Sequence, residues 1–127
     1  MCVKNLTPVL YVPSIEECAP FWKSLGFEQT MAVPEGDHLG FVGLQCGEVA
    51  IMLQTLTSVA VDMPTVRVTT EATSVLLYLR VERLSQILEF PPSDEVVVPQ
   101  RTTFYGMHEV GYRSPGGHVV VFSAPEL

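Results

Sequence analysis

The sequence predicts an α+β protein in which the order strand, helix, strand, strand, strand occurs twice. Three observations carry this expectation. Short runs of alternating apolar residues are punctuated by Gly and Pro turns, two segments show helical spacing instead, and a stretch rich in Thr, Ser and Val separates the two sets. The repeat is one of order and not of identity, because almost no side chains coincide between the halves.

In the first half, Leu6 to Val12 reads as a strand with Leu10 and Val12 on one face and Thr7, Val9 and Tyr11 on the other. Pro13 ends it. Ser14 followed by Glu17 has the form of a capping box, and Ile15, Cys18, Phe21, Trp22 and Leu25 then recur at helical spacing until Gly26, which suits a left-handed closing residue. Pro20 removes an N–H from this helix and should bend it. Three strands follow as a meander: Phe27 to Val33, His38 to Gln45 and Glu48 to Thr55, joined by Pro34-Glu35-Gly36-Asp37 and Cys46-Gly47.

Residues Thr55 to Thr73 show no helical period and read as a long connection, of the kind that is functional or joins two units. The second half then runs through a strand at Val75 to Val81, a short helix at Glu82 to Phe90 stopped by Pro91-Pro92, and a strand at Glu95 to Val98. The stretch from Phe104 to Ser123 closes it as a hairpin, with Pro115-Gly116-Gly117 as the reversal and Val119 to Phe122 as a β-branched run. Glu109, Gly111 and Arg113 fall opposite Val110 and Tyr112, so a packed apolar face aims a carboxylate at whatever the other face encloses. Module one is expected at about residues 1–56, the linker at about 57–73 and module two at about 74–127, within one domain.

At 127 residues such a chain buries roughly two thirds of its unfolded surface. Cys2, Cys18 and Cys46 form no CxxC pair or metal-finger spacing, which suits reduced thiols in a cytoplasmic protein. No apolar run approaches a membrane span and no signal-peptide order opens the chain. Seven Lys and Arg against fourteen Asp and Glu, a net charge of -7 with no basic cluster, disfavour a nucleic-acid partner.

Pro13-Ser14-Ile15 and Phe21-Trp22-Lys23-Ser24-Leu25-Gly26-Phe27 in the first half, with Leu76 to Val81 then Glu82, Tyr105-Gly106-Met107-His108-Glu109 and Ser114-Pro115-Gly116-Gly117-His118 in the second, resemble the vicinal oxygen chelate superfamily in its glyoxalase and bleomycin-resistance form. The resemblance spans nearly the whole chain and implies two paired βαβββ modules, a curled mixed sheet around a cavity with helices outside, and a homodimer. It also implies a divalent metal in many members, held on the first and last strands of each module. Carried over, those positions hold Thr7, Met52, Leu76 and Val121, and a shift of one residue either way does not produce a ligand set. No metal or other cofactor is therefore expected, and Lewis-acid chemistry is disfavoured.

The resemblance and the strand alternation together make Thr7, Tyr11, Met52, Gln54, Leu76, Tyr78, Tyr105, Glu109 and Val121 the candidate ligand-binding residues of an apolar pocket with a few polar groups. Glu109 is the only catalytic candidate. With its pKa raised by burial it would serve as a general base; paired with Arg80, Arg101 or Arg113 it would be structural. The tyrosines serve equally as ligand contacts or as core aromatics with one polar tip. His38 and His118 read as turn residues, and His108 lies on the face away from the pocket.

Three functions follow. The first is a metal-free small-molecule-binding protein that sequesters a partly apolar or cationic compound. The second is a metal-independent lyase or isomerase using Glu109 as base, and the third a regulatory or structural dimer with a vestigial pocket.

Overall fold

A computed structural model describes residues 1–68 and 75–127 and divides into two compact units, Met1–Thr70 and Glu71–Leu127. The first unit runs β1 (Val9–Val12), α1 (Ile15–Ser24), β2 (Glu28–Glu35), β3 (His38–Cys46), β4 (Val49–Thr55) and α2 (Leu56–Asp62). The second runs β5 (Leu77–Arg80), α3 (Ser85–Glu89), β6 (Val96–Thr102), β7 (His108–Arg113) and β8 (Val119–Ala124). The protein is α+β, with two four-stranded mixed sheets ordered β1-β4-β3-β2 and β5-β8-β7-β6. In each, the first strand pairs in parallel with the last, and the other pairs are antiparallel. Among the described residues no helix is long and apolar enough to cross a membrane.

In the first unit the alternation of β1 is realised: Leu10 and Val12 are buried while Val9 stays exposed. They share their face with Val42, Leu44, Ile51 and Leu53, and α1 packs on β3 and β4 through Ile15, Cys18, Phe21 and Trp22. Trp22 is the centre of this core, with the Phe21 and Phe27 rings edge-on at 5.1 and 5.4 Å. The capping box is half made. Ser14 Oγ accepts from the Glu17 N–H at 3.3 Å, but no return bond from the Glu17 carboxylate occurs among the described residues. Its neighbour Glu16 instead accepts from the Leu39 N–H at 2.8 Å and pins the start of β3 to the helix.

The expected structureless connection from Thr55 is corrected in its first part. Thr55 caps α2, its Oγ1 accepting from the Ser58 N–H at 3.0 Å, and Val59 is buried beneath the helix. Seven residues hold too little of the 3.6 period to be read without the sheet they pack on. Residues 69–74 of the same expected connection lie outside the described residues.

In the second unit, Val110, Tyr112, Val120 and Phe122 form the buried face, with Tyr112 and Phe122 at 6.0 Å. β6 is longer than predicted because Pro99 does not end it. It is an edge strand, where a missing N–H costs no ladder bond, and an extra residue is accommodated as a bulge between Val98 and Arg101.

The two sheets place their second faces in matching rows. Tyr11, Gln54, Phe41 and Val33 lie side by side across β1-β4-β3-β2, and Arg80, Ser123, Glu109 and Arg101 across β5-β8-β7-β6. The adjacent rows contain Val9, Met52 and Gly43 in one unit, and Tyr78, Val121 and Gly111 in the other. Both glycines are required by closeness to the outer strand. A Cβ on Gly43 would stand 2.8 Å from Thr30 Oγ1, and one on Gly111 would stand 2.8 Å from Val98 Cβ.

Candidate functional site

Glu109 is the most buried charged group among the described residues, at 1% exposure, and its position follows from strand alternation on β7. Ser123 flanks it on β8 and Arg101 on β6. Its oxygens are divided between two kinds of donor. Arg101 donates to Oε1 from Nε at 3.0 Å and from Nη2 at 2.9 Å. Oε2 accepts the Tyr78 hydroxyl in a close hydrogen bond and the Tyr105 hydroxyl at 3.5 Å. Tyr78 reaches it diagonally from β5, and Tyr105 from the turn between β6 and β7. That turn is closed by the Thr103 N–H on the Met107 carbonyl at 2.8 Å, and by Thr103 Oγ1, which accepts from the Met107 N–H at 3.0 Å.

This geometry corrects the expectation of a raised pKa. Burial does push the Glu109 carboxyl upward, but the Tyr78 hydrogen bond, followed by Arg101, outweighs it, and the group is held below the ordinary carboxylate range. The Tyr78 phenol is correspondingly raised, because losing its proton would place an anion against the Glu109 carboxylate. Ser123 Oγ lies next to Tyr78, fully buried, and makes no well-formed hydrogen bond among the described residues. Of the three arginines considered as partners, Arg101 takes the role. Arg113 pairs instead with Glu95 at 3.3 Å and donates to the Gly117 carbonyl at 3.1 Å, and Arg80 has no ion pair among the described residues.

A saturated, ionised carboxylate is a poor proton acceptor and a good anchor. What it anchors is partly open to solvent: Tyr78 and Tyr105 are 51% and 58% exposed, the Arg101 side chain 60%. Phe104 stacks edge-on against Tyr105 at 5.0 Å and is fully exposed. Val121 is buried in the row beside Glu109, next to Tyr78, whereas Leu76 precedes β5 and is 52% exposed.

In the first unit, Tyr11 and Gln54 are neighbours in one row, and Met52 lies beside Val9 in the next. Thr7 precedes β1 and is half-buried. The Gln54 side chain is buried and donates from Nε2 to Ser58 Oγ at 3.1 Å; together they line an open groove of about 370 Å³ under α2. Ser58, Val61 and Asp62 were not legible as site residues, since α2 itself was not expected; Thr55 ahead of Leu56 and Val59 was the available signal. His38 bonds Asp37 at 3.2 Å at an exposed turn, His108 bonds Thr102 at 3.1 Å, and His118 is half-buried, which lowers its pKa.

The four positions that the resemblance assigns to metal ligands do not fit a divalent ion. They present a hydroxyl, a thioether and two alkyl groups. Glu109, the acid nearest to them on the second sheet, has both oxygens already occupied by donors. Among the described residues no group of three or more His, Cys, Asp or Glu is placed to hold an ion.

No family model and no curated protein matches the sequence. Solved structures match over nearly all of it. A glyoxalase-related enzyme from Fulvimarina pelagi aligns at 16% identity over 96% of this chain and 88% of its own, with a TM-score of 0.76. A glyoxalase/bleomycin resistance protein/dioxygenase from Nocardioides aligns at 14% identity over 98% and 85%, with a TM-score of 0.73. A bleomycin-binding protein, solved in complex with bleomycin, aligns at 14% identity over 96% and 98%, with a TM-score of 0.64. Two four-stranded sheets of the same strand order, matched over nearly their whole length by these structures, give the chain the fold of the glyoxalase/bleomycin-resistance proteins it resembles.

Proposed function

We propose that the protein binds a small, partly apolar organic molecule without a metal, against the aromatic surface that Glu109 organises. The observation that supports this most is the saturation of the Glu109 carboxylate by Arg101, Tyr78 and Tyr105. Those bonds hold two phenol rings in place while leaving about half of each exposed, which lowers the entropy lost when a planar ligand stacks on them. The bleomycin-binding neighbour supports small-molecule capture as a use of this fold. A cationic ligand gains little from this face, because the Glu109 charge is already matched by Arg101.

The same bonds argue against Glu109 as the general base of a lyase or isomerase. A base needs a pKa near the working pH and a free lone pair, and here the pKa is lowered and the oxygens are engaged. We extend the reading to a homodimer on the strength of the fold alone; sedimentation equilibrium at micromolar concentration tests it, and a monomer would remove that part.

The binding reading is tested by titrating a panel of planar aromatic compounds while following the amide resonances of residues 78 and 105–109. At least one compound is expected to shift them and to lose affinity by about fivefold or more in Tyr78→Ala or Tyr105→Ala. A panel in which no compound responds to either substitution would overturn it. Turnover that survives in wild type and vanishes in Glu109→Gln would favour the catalytic reading instead.

A further inference from the structure

The face that Glu109 organises is rich in donors and short of acceptors. We infer that the planar ligand proposed for it is an anion, an aromatic carboxylate held between Arg80 and Arg101; the inference rests on that binding reading. The chain has seven Lys and Arg and a net charge of -7. Arg80, Arg101 and Arg113 nevertheless all lie on strands of the second sheet, and Glu109 is the only carboxylate in those strands. The register sets Arg80, Ser123, Glu109 and Arg101 in one row, and Arg113 follows Glu109 on the same face of β7. Arg113 is matched by Glu95 and Arg101 by Glu109. Arg80 is exposed and has no ion pair among the described residues, so the face carries a surplus of positive charge in an acidic chain.

A second observation comes from hydrogen bonding. Ser123 Oγ is the only buried side-chain polar atom without a partner among the described residues, and it stands in the row between Arg80 and Glu109. A buried hydroxyl left unpaired is costly, and folded proteins seldom keep one without a reason. Its surroundings offer few acceptors. Arg80 and Arg101 only donate, the Tyr78 hydroxyl gives its proton to Glu109, and the Glu109 oxygens are spent on Arg101, Tyr78 and Tyr105. A ligand carboxylate brings two oxygens with about four lone-pair sites. Arg101 uses Nε and Nη2 on Glu109 and keeps Nη1 for such a group, and the planar guanidinium of Arg80 suits it as a bidentate partner. Strands stand about 4.8 Å apart, so Arg80 leaves the sheet about 10 Å from Glu109, a span that its side chain and one carboxylate bridge. A ring attached to that carboxylate reaches Tyr78, which shares the face of β5 with Arg80. Ser123 Oγ lies next to the Tyr78 hydroxyl, so a small turn of that half-exposed ring brings the serine O–H to the ligand.

The test compares 2-naphthoate, 2-naphthylmethanol and 2-naphthylmethylammonium, followed through the amide resonances of residues 78, 80, 109 and 123. Naphthoate is expected to bind about tenfold or more tighter than the alcohol, with the ammonium weakest. Arg80→Gln should cost naphthoate about fivefold or more and leave the alcohol unchanged, and raised salt should weaken only the anion. Ser123→Ala should weaken naphthoate by about threefold, and Lys23→Gln, the same loss of charge on the first unit, should leave it unaltered. Equal affinity for the acid and the alcohol, or indifference of naphthoate to both Arg80→Gln and Ser123→Ala, would overturn the inference; an alcohol that still responds to Tyr78→Ala would then leave the stacking reading standing. Naphthoate binding that needs Arg80 but is indifferent to Tyr78→Ala and Tyr105→Ala would overturn the stacking reading alone. Resonances that none of the three compounds moves would overturn both.

Discussion

The two units share strand order, register and even the glycine in the third strand of each sheet, yet the rows beside those glycines differ completely in chemistry. One reads Tyr11, Gln54, Phe41 and Val33; the other reads Arg80, Ser123, Glu109 and Arg101. A sheet face therefore specifies where side chains meet and not what they do there. In the first unit the row borders an open groove beside α2, and its buried amide is bonded to Ser58 on that helix. In the second the row closes on a carboxylate whose oxygens are fully used. The first row borders open space; the second is complete and presents the rings that complete it.

The difference is open to direct attack. The largest effect is expected at Glu109. Replacement by Ala removes a buried acceptor from two tyrosines and an arginine, and urea denaturation should register a loss of about 2–3 kcal/mol; Arg101 is exposed enough to rehydrate, which keeps the cost below that of a fully buried pair. A loss under about 0.5 kcal/mol would mean that the network is ornamental. The same residue sets a pH dependence. Its folded pKa lies below the unfolded value, so its contribution is present above roughly pH 4.3 and declines as pH falls through the folded pKa. The urea midpoint should therefore drop on acidification, and Glu109→Gln should flatten that drop.

Next come the paired glycines. Gly111→Ala should cost about 2 kcal/mol, because the new methyl meets the stiff, branched Val98 at 2.8 Å. Gly43→Ala should cost about half as much, since the flexible Met31 and the Thr30 hydroxyl, 2.9 and 2.8 Å away, can turn aside. Equal costs in thermal denaturation would overturn this difference between the two rows. Thr55→Ala is expected to cost about 1 kcal/mol by uncapping α2, and to loosen the groove without altering the Tyr78 and Tyr105 resonances. Tyr105→Phe should be the mildest, a few tenths of a kcal/mol, because its bond to Glu109 is long at 3.5 Å.

Much of this architecture was legible before any coordinates. Alternation in β1, β7 and β8 correctly assigned Leu10 and Val12 to one face and Glu109 to the face opposite Val110 and Tyr112, because a period of two is enforced by the backbone itself. The stripe of α1 was legible for the same reason, at its own period. α2 was missed because seven residues offer only Leu56 and Val59 as a repeat, and their apolar partners lie in other strands. The length of β6 was missed because a proline is tolerated only at a sheet edge, and edges are a property of the assembled sheet.

The site divides along the same line. That Glu109 shares a face with Tyr78, and that the positions matching metal ligands cannot hold one, was present in the residue types and their spacing. Whether burial or hydrogen bonding would set its pKa was not. The parallel pairing of β5 with β8 brings Tyr78 to a carboxylate 31 positions away, and the bulge in β6 sets Arg101 beside it. The sequence by itself determined the two-unit order, the buried faces and the poverty of metal ligands, because each depends on local periodicity or on side-chain chemistry alone. The tertiary structure decided which donors reach Glu109, Arg101 on one oxygen and two tyrosines on the other, because the protonation of a buried group depends on the donors that the fold delivers to it.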